Sequence, residues 1–274
     1  MIDLFALAQA RVPRIIEDFE TAVAALPTGD AERLRRFAEW TEANAVISIN
    51  VDLFVVTELL NGRAYQNIYE WADEQSHMSG RAAGDILRER LKEWFDRRLR
   101  FDAGVSNGRT LRYGAMSGGT IGLKEYGSYC LVMTRAFQEA LLEIAYWPGD
   151  SLVAFWRADG SLDRDTLVRK ISPHAHRHLM VACERAGEVA NDPQSWPSLI
   201  ASDERYFEAA FAGEVRLESV GCLRVLRSEY ERLVSLAFEN FGRRLGDAER
   251  ALVHDFVQLR RAVLNEKIKL EVVQ

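Results

Sequence analysis

The spacing of apolar and polar positions changes several times along the chain, and each change marks an element. From Ile2 to Ala25 the apolar residues return at helical intervals (Leu4, Phe5, Leu7, Ala8, then Ile15, Ile16, Phe19 and Val23), with Pro13 as a boundary. Thr28-Gly29-Asp30 reads as a turn and N-cap opening a helix from about Ala31 to Ala43. At Ala45 the period drops to two, and the β-branched, alternating Val46–Val51 predicts a strand. Leu53–Leu60 returns to a short helical pattern, ended by Asn61-Gly62. Glu70–Leu99 reads as mostly helical with an interruption at Ser79-Gly80, and Leu87–Arg98 as one amphipathic helix laced with opposite charges.

Glycine then becomes frequent. Phe101–Arg109 places Gly104 and Gly108 around Ser106-Asn107, a tight turn that presents backbone amides with two short polar side chains. Glycine-bearing loops are expected from Leu111 to Gly119, and a strand at Ser128–Met133. Phe137–Trp147 is apolar without a clear period, Pro148–Ser151 is a turn, and Leu152–Trp156 is a short strand candidate. Helices are expected at Asp163–Lys170 and His178–Ala190, with a loop at Asn191–Pro197. Two apolar strands, Tyr206–Phe211 and Val220–Leu226, enclose Gly213 and the alternating Val215-Arg216-Leu217, read as a bend and a return strand. Helices at Glu229–Arg243 and Asp247–Asn265 close the chain, divided at Leu245-Gly246. The pattern predicts an α+β protein with an N-terminal helical segment over 1–45, a strand-bearing core over 46–226, and C-terminal helices over 227–274.

Composition narrows the function classes. At 274 residues, with 48% hydrophobic and 28% charged, the chain can bury a sizeable core. A net charge of −6 without a dense basic stripe argues against nucleic acid as the main partner. Cys130, Cys183 and Cys222 lack metal-ligand spacing and read as reduced, buried thiols. The N-terminus lacks a basic leader and does not read as a secretory signal peptide, and no apolar run is long enough to span a bilayer. His174, His176 and His178 fall at every second position, but they follow Pro173 at a helix start with no fitting carboxylate or cysteine cluster, so exposed histidines rather than a metal site are expected. Gly118–Gly122 lacks the lysine of a phosphate loop.

Glu208 stands out, because a carboxylate inside an apolar strand loses hydration and needs a partner or a task. It is either a strand-edge glutamate that reaches solvent or a catalytic one. Around it, several motifs run in one order over residues 46–226. They are Leu60-Asn-Gly-Arg-Ala-Tyr65 after the first strand, Phe101-Asp-Ala-Gly-Val-Ser-Asn-Gly108, Arg112-Tyr-Gly-Ala115 and Tyr126-Gly-Ser-Tyr-Cys-Leu-Val132. Gly149-Asp-Ser151 and Tyr206-Phe-Glu-Ala-Ala210 complete the set. At these residues the chain resembles the ADP-ribosyltransferase superfamily. It looks most like a bacterial family long catalogued as a domain of unknown function, some of whose members ADP-ribosylate ubiquitin on a threonine inside eukaryotic cells.

The resemblance implies an ADP-ribosyltransferase-like split mixed β-sheet, NAD consumed as substrate and no metal. Glu208 would be the catalytic residue and Arg63 a clamp on the pyrophosphate. The Ser106-Asn107 turn would position the nicotinamide ribose and amide, and Phe101 or Tyr65 would stack on the nicotinamide. Breaking the nicotinamide–ribose bond builds positive charge on the sugar, and a fixed carboxylate that holds a ribose hydroxyl stabilises that charge. Tyr206 stands two residues before Glu208, where enzymes modifying arginine usually carry a second glutamate, which implies a hydroxyl acceptor on a protein, ubiquitin above all. The same resemblance allows delivery into a host cytosol by a specialised secretion system. The chain differs from the family pattern in having Asn50-Val-Asp-Leu53 where many relatives carry a histidine, and in a longer stretch between Arg63 and Phe101. Two alternatives remain: a toxin with another target, and a non-catalytic helical interaction protein without a pocket joining Arg63, Ser106 and Glu208.

Overall fold

The computed structural model describes residues 1–141, 143–202, 204–239 and 245–274. Its N-terminal helices are α1 (Leu4–Ala10), α2 (Val12–Ala24) and α3 (Thr28–Asn44). Asp3 caps the first by accepting from the amides of Phe5 and Ala6, and Pro13 sits in the first turn of the second, where a missing N–H is harmless. Strand β1 (Val46–Val51) and helix α4 (Leu53–Leu60) follow as the pattern predicts.

Next come α5 (Ile68–Ser79), α6 (Ala83–Leu91) and α7 (Phe95–Gly104). The single helix expected over Leu87–Arg98 is therefore broken. Lys92 adopts φ +48°, and the break turns Phe95 onto the same small core as Tyr69, Ile86 and Leu87. The glycine-rich stretch expected to be loop contains strand β2 (Arg112–Ser117). Here glycine marks a close approach of two backbones: a Cβ at Gly114 would lie 2.6 Å from the Ser48 carbonyl of β1.

The chain continues through β3 (Tyr129–Met133), α8 (Arg135–Ala140) and β4 (Ile144–Pro148). Leu152–Trp156, expected as a strand, forms consecutive turns with one bridge, Trp156 to Leu162. Then come α9 (Arg164–Lys170), β5 (Ser172–Pro173) and α10 (Arg177–Arg185), with α11 (Trp196–Ile200) completing a segment read as loop. Strands β6 (Phe207–Phe211) and β7 (Val220–Leu226) are as predicted, but the return strand at Val215 reduces to a single bridge with Tyr65. Helices α12 (Arg227–Glu239) and α13 (Asp247–Leu264) precede a strand the pattern did not reveal, β8 (Leu270–Val273). The expected end of the first of these helices, at Arg243, lies outside the described residues.

Among the described residues the strands form one eight-stranded sheet in the order β5-β4-β6-β2-β1-β3-β7-β8. Its pairings are antiparallel except β7 with β8, so the fold is α+β with a mixed sheet flanked by helices. The two halves of this continuous sheet meet on β2. Arg112–Ala115 pair with β6, and Ala115–Ser117 pair with β1.

Alternation then sorts the side chains of β6 between two cores. Phe207, Ala209 and Phe211 enter the main core, shared with α2, α3, α10, α12 and α13. Ala210 turns to a second core on the opposite face with Phe101, Trp147 and Phe155. Glu208 points the same way as Ala210. Among the described residues, no helix is long and apolar enough to cross a membrane.

Candidate active site

Glu208 lies between Trp147 on β4 and Ala115 on β2, and only 8% of its surface is accessible. The indole Nε1 of Trp147 donates to Glu208 Oε2 at 2.9 Å, and the backbone N–H of Ser151 donates to the same oxygen at 2.6 Å. Among the described residues no donor reaches Oε1. Burial raises the carboxyl, and the neighbouring Asp150 raises it further. The positive charge of Arg98 and the two hydrogen bonds pull the other way, and the outcome is about 7, against an ordinary 4.5.

The turn after β4 brings in Asp150. Gly149, at φ +80°, donates its N–H to the Tyr206 carbonyl at 2.8 Å. Asp150 Oδ1 accepts from the Leu152 amide at 2.7 Å, and Oδ2 accepts from the Tyr126 hydroxyl at 3.1 Å. Tyr126 is 50% exposed and forms the outer wall. The Tyr206 hydroxyl lies against that of Tyr126; burial, Glu208 and Asp150 together push it far above the usual phenol range, so it stays protonated. Ser151 Oγ is buried without a hydrogen-bond partner.

Behind the glutamate runs a buried polar network on α7. Arg98 Nε donates to Asp102 Oδ2 at 2.7 Å, and its Nη2 meets both Asp102 Oδ1 and the Tyr113 hydroxyl. The hydroxyls of Tyr69 and Tyr113 donate to the same carboxylate at 2.6 and 2.8 Å. The guanidinium also stacks 4.0 Å from the Tyr113 ring centre. Charge here is matched and every acceptor is used, the condition under which a buried ion pair is tolerated.

The other residues expected at the site are placed elsewhere or differently. Arg63 follows α4, but its side chain is 57% exposed and pairs with Glu58 at 2.5 Å and Glu74 at 3.0 Å. Tyr65 pairs through its backbone with Val215 and packs on the main core. Phe101 has no accessible surface and packs against Trp147, 6.2 Å between ring centres, so its face is not open to a ligand. Ser106 donates its N–H to the Ile2 carbonyl at 2.8 Å, and Asn107 is exposed in the left-handed region at φ +56°. Phe101 thus reaches the Glu208 neighbourhood through Trp147. No hydrogen bond or ion pair joins Arg63, Tyr65, Ser106 or Asn107 to Glu208 among the described residues.

Sequence reasoning overlooked Asp150, Tyr126, Trp147 and Arg98 as site residues. Their signals were present but generic: a Gly-Asp-Ser turn, an aromatic before a strand, and an i,i+4 pair of opposite charges. The histidines fare otherwise. His174 Nδ1 bonds the Tyr146 hydroxyl at 2.9 Å, and burial with Arg177 nearby lowers it to about 4. No group of three metal-ligating side chains converges among the described residues. A shallow apolar groove of about 270 Å³ lies between α12 and α13, lined in part by Val234, Phe238 and Leu264, and shares no residue with the Glu208 cluster. Set against known proteins, the chain matches no family model and no curated protein.

Proposed function

We propose that the chain transfers ADP-ribose from NAD to a hydroxyl of a protein acceptor, with a threonine of ubiquitin as the first candidate. One observation supports this above the others. Glu208 is fixed on an inner strand, nine-tenths buried beside a second carboxylate, with Oε2 bonded twice and Oε1 left without a donor. Folding is not served by a desolvated carboxylate in that position. A site that must face a developing cation is. As the nicotinamide–ribose bond breaks, Glu208 Oε1 would hold a ribose hydroxyl, while Trp147 and the Ser151 amide keep Oε2 from moving. Tyr206, held neutral, supplies no second carboxylate at its position, which suits a hydroxyl better than a guanidinium acceptor. Arg63 serves as phosphate clamp on this reading by exchanging Glu58 and Glu74 for NAD oxygens, an exchange its exposure makes inexpensive. An ADP-ribosylated ubiquitin would place the work of the protein in a eukaryotic cytosol.

The test is nicotinamide release from NAD, together with mass spectrometry of ubiquitin incubated with the protein and NAD. Glu208→Gln is expected to lose roughly 100-fold or more of the turnover, and undiminished turnover would refute the assignment. A second reading, a non-catalytic interaction protein, draws on the partners that Arg63 and Ser106 already have, Glu58 with Glu74 and the Ile2 carbonyl. It predicts neither nicotinamide release nor calorimetric binding of NAD.

A further inference from the structure

We infer that Asp150 is the general base that takes the proton from the acceptor hydroxyl, an inference that rests on the transfer reaction proposed above. The residues on either side of Asp150 are tied to β6 and to Tyr206 just before it. The Gly149 N–H bonds the Tyr206 carbonyl at 2.8 Å and the Ser151 N–H bonds Glu208 Oε2 at 2.6 Å. The far side of the turn is held as firmly: Trp156 Nε1 donates to the Ser151 carbonyl and Arg97 Nη1 to the Leu152 carbonyl, each at 3.0 Å. Two carboxylates that repel one another are thus kept together by backbone and side-chain bonds. Their surroundings differ. Glu208 is the buried acid, and Asp150, bonded to the half-exposed Tyr126, is half-buried.

Two further atoms point to a ligand rather than to an accidental cluster. Ser151 Oγ is fully buried and without a partner, and the hydrogen bonds to Glu208 both go to Oε2, leaving Oε1 free to accept one. Both belong to residues that flank or face Asp150. Each Asp150 oxygen accepts one hydrogen bond, from Leu152 or Tyr126, which orients it and leaves a lone pair for an incoming proton. With the ribose against the buried Glu208, Asp150 is the more exposed of the two acids and so the one open to an acceptor from solvent.

In the step itself the acceptor oxygen bonds the ribose carbon C1 as its proton passes to Asp150. The carbon–nitrogen bond to nicotinamide breaks, and its electron pair neutralises the ring nitrogen. The products are the ADP-ribosylated hydroxyl, nicotinamide and a proton, which Asp150 returns to water. No oxidant or metal enters the balance.

The experiment compares methanol, which must lose a proton to react, with azide, which carries none. Wild type, Asp150→Asn and Glu208→Gln are each given NAD with either nucleophile, and the ribosyl product is quantified. Asp150→Asn is expected to lose about 100-fold or more of methanol transfer while keeping azide transfer near wild type. Glu208→Gln should lose both. Equal loss of both reactions in Asp150→Asn would reveal a merely structural role, and unchanged methanol transfer would show that Asp150 is no base; either overturns the inference and leaves the transfer reading standing. Wild type inert toward NAD with every nucleophile would overturn both. A measurement on wild type alone guards against a misfolded variant. A normal solvent deuterium isotope effect with methanol and none with azide is expected, and its absence with methanol counts against the base.

Discussion

Replacing Glu208 by glutamine should make the protein more stable, by an amount that grows with pH. The substitution keeps an oxygen to accept from Trp147 and Ser151 and removes the charge that burial and Asp150 oppose. A carboxyl raised from 4.5 to about 7 on folding binds its proton more tightly in the native state. The stability this carries is complete below about 4.5 and is lost as pH rises through about 7. The full loss in the wild type is on the order of 3 kcal/mol, of which about 1 kcal/mol is already gone near pH 5. Glutamine has no such proton to lose. Urea unfolding should therefore find Glu208→Gln more stable than wild type by about 1 kcal/mol at pH 5 and by about 3 kcal/mol at pH 8. A variant less stable than wild type at pH 8, or a difference that ignores pH, would show that the carboxylate is well accommodated and that the case for a functional acid is unfounded.

Three other outcomes can be checked. Turnover of NAD, if it needs ionised Glu208, should rise roughly tenfold per pH unit below about 7 and level off above it in a kcat/KM profile. Gly114→Ala should cost about 1–3 kcal/mol in chemical denaturation, because its Cβ would press on the Ser48 carbonyl at 2.6 Å. Asp102→Ala should cost about 3–5 kcal/mol by leaving Arg98 buried without its partner, and the double replacement Arg98→Met with Asp102→Leu should recover most of that loss.

What the sequence revealed, and what it hid, divides along physical lines. Val46–Val51 was legible from its β-branched Val and Ile residues, and Val220–Leu226 as a short apolar run of strand-favouring residues. Glu208 was legible as an acid interrupting an apolar run, with no structure required to notice it. Strand β2 was hidden because Gly114 answers to a neighbouring backbone, and that neighbour is more than sixty residues away in the chain. The break at Lys92 was hidden because the pattern of Leu87–Arg98 suits a straight helix equally well; only the core around Tyr69 decides against it. Arg98 and Asp102 show the same ambiguity, since their i,i+4 spacing is that of a surface ion pair and only the hydroxyls of Tyr69 and Tyr113 make it an interior one. Asp150 sits in a legible Gly-Asp-Ser turn, but its relation to Glu208 depends on hydrogen bonds between segments nearly sixty residues apart.

The handover at β2 joins the two wings of the sheet through one strand. Glu208 belongs to the wing on one side of that strand, and the segment after α4 is tied to the same side, because Tyr65 bridges to Val215 beyond β6 and Arg112 of β2 donates to the Tyr65 carbonyl at 3.3 Å. Ala115 is the residue at which the two sets of pairings overlap. The main core draws side chains from both wings, β1, β3 and β7 on one side and β4 and β6 on the other, so bending at this short seam is opposed by that shared core as well as by the ladders, and the strand that carries Glu208 is a stiff platform.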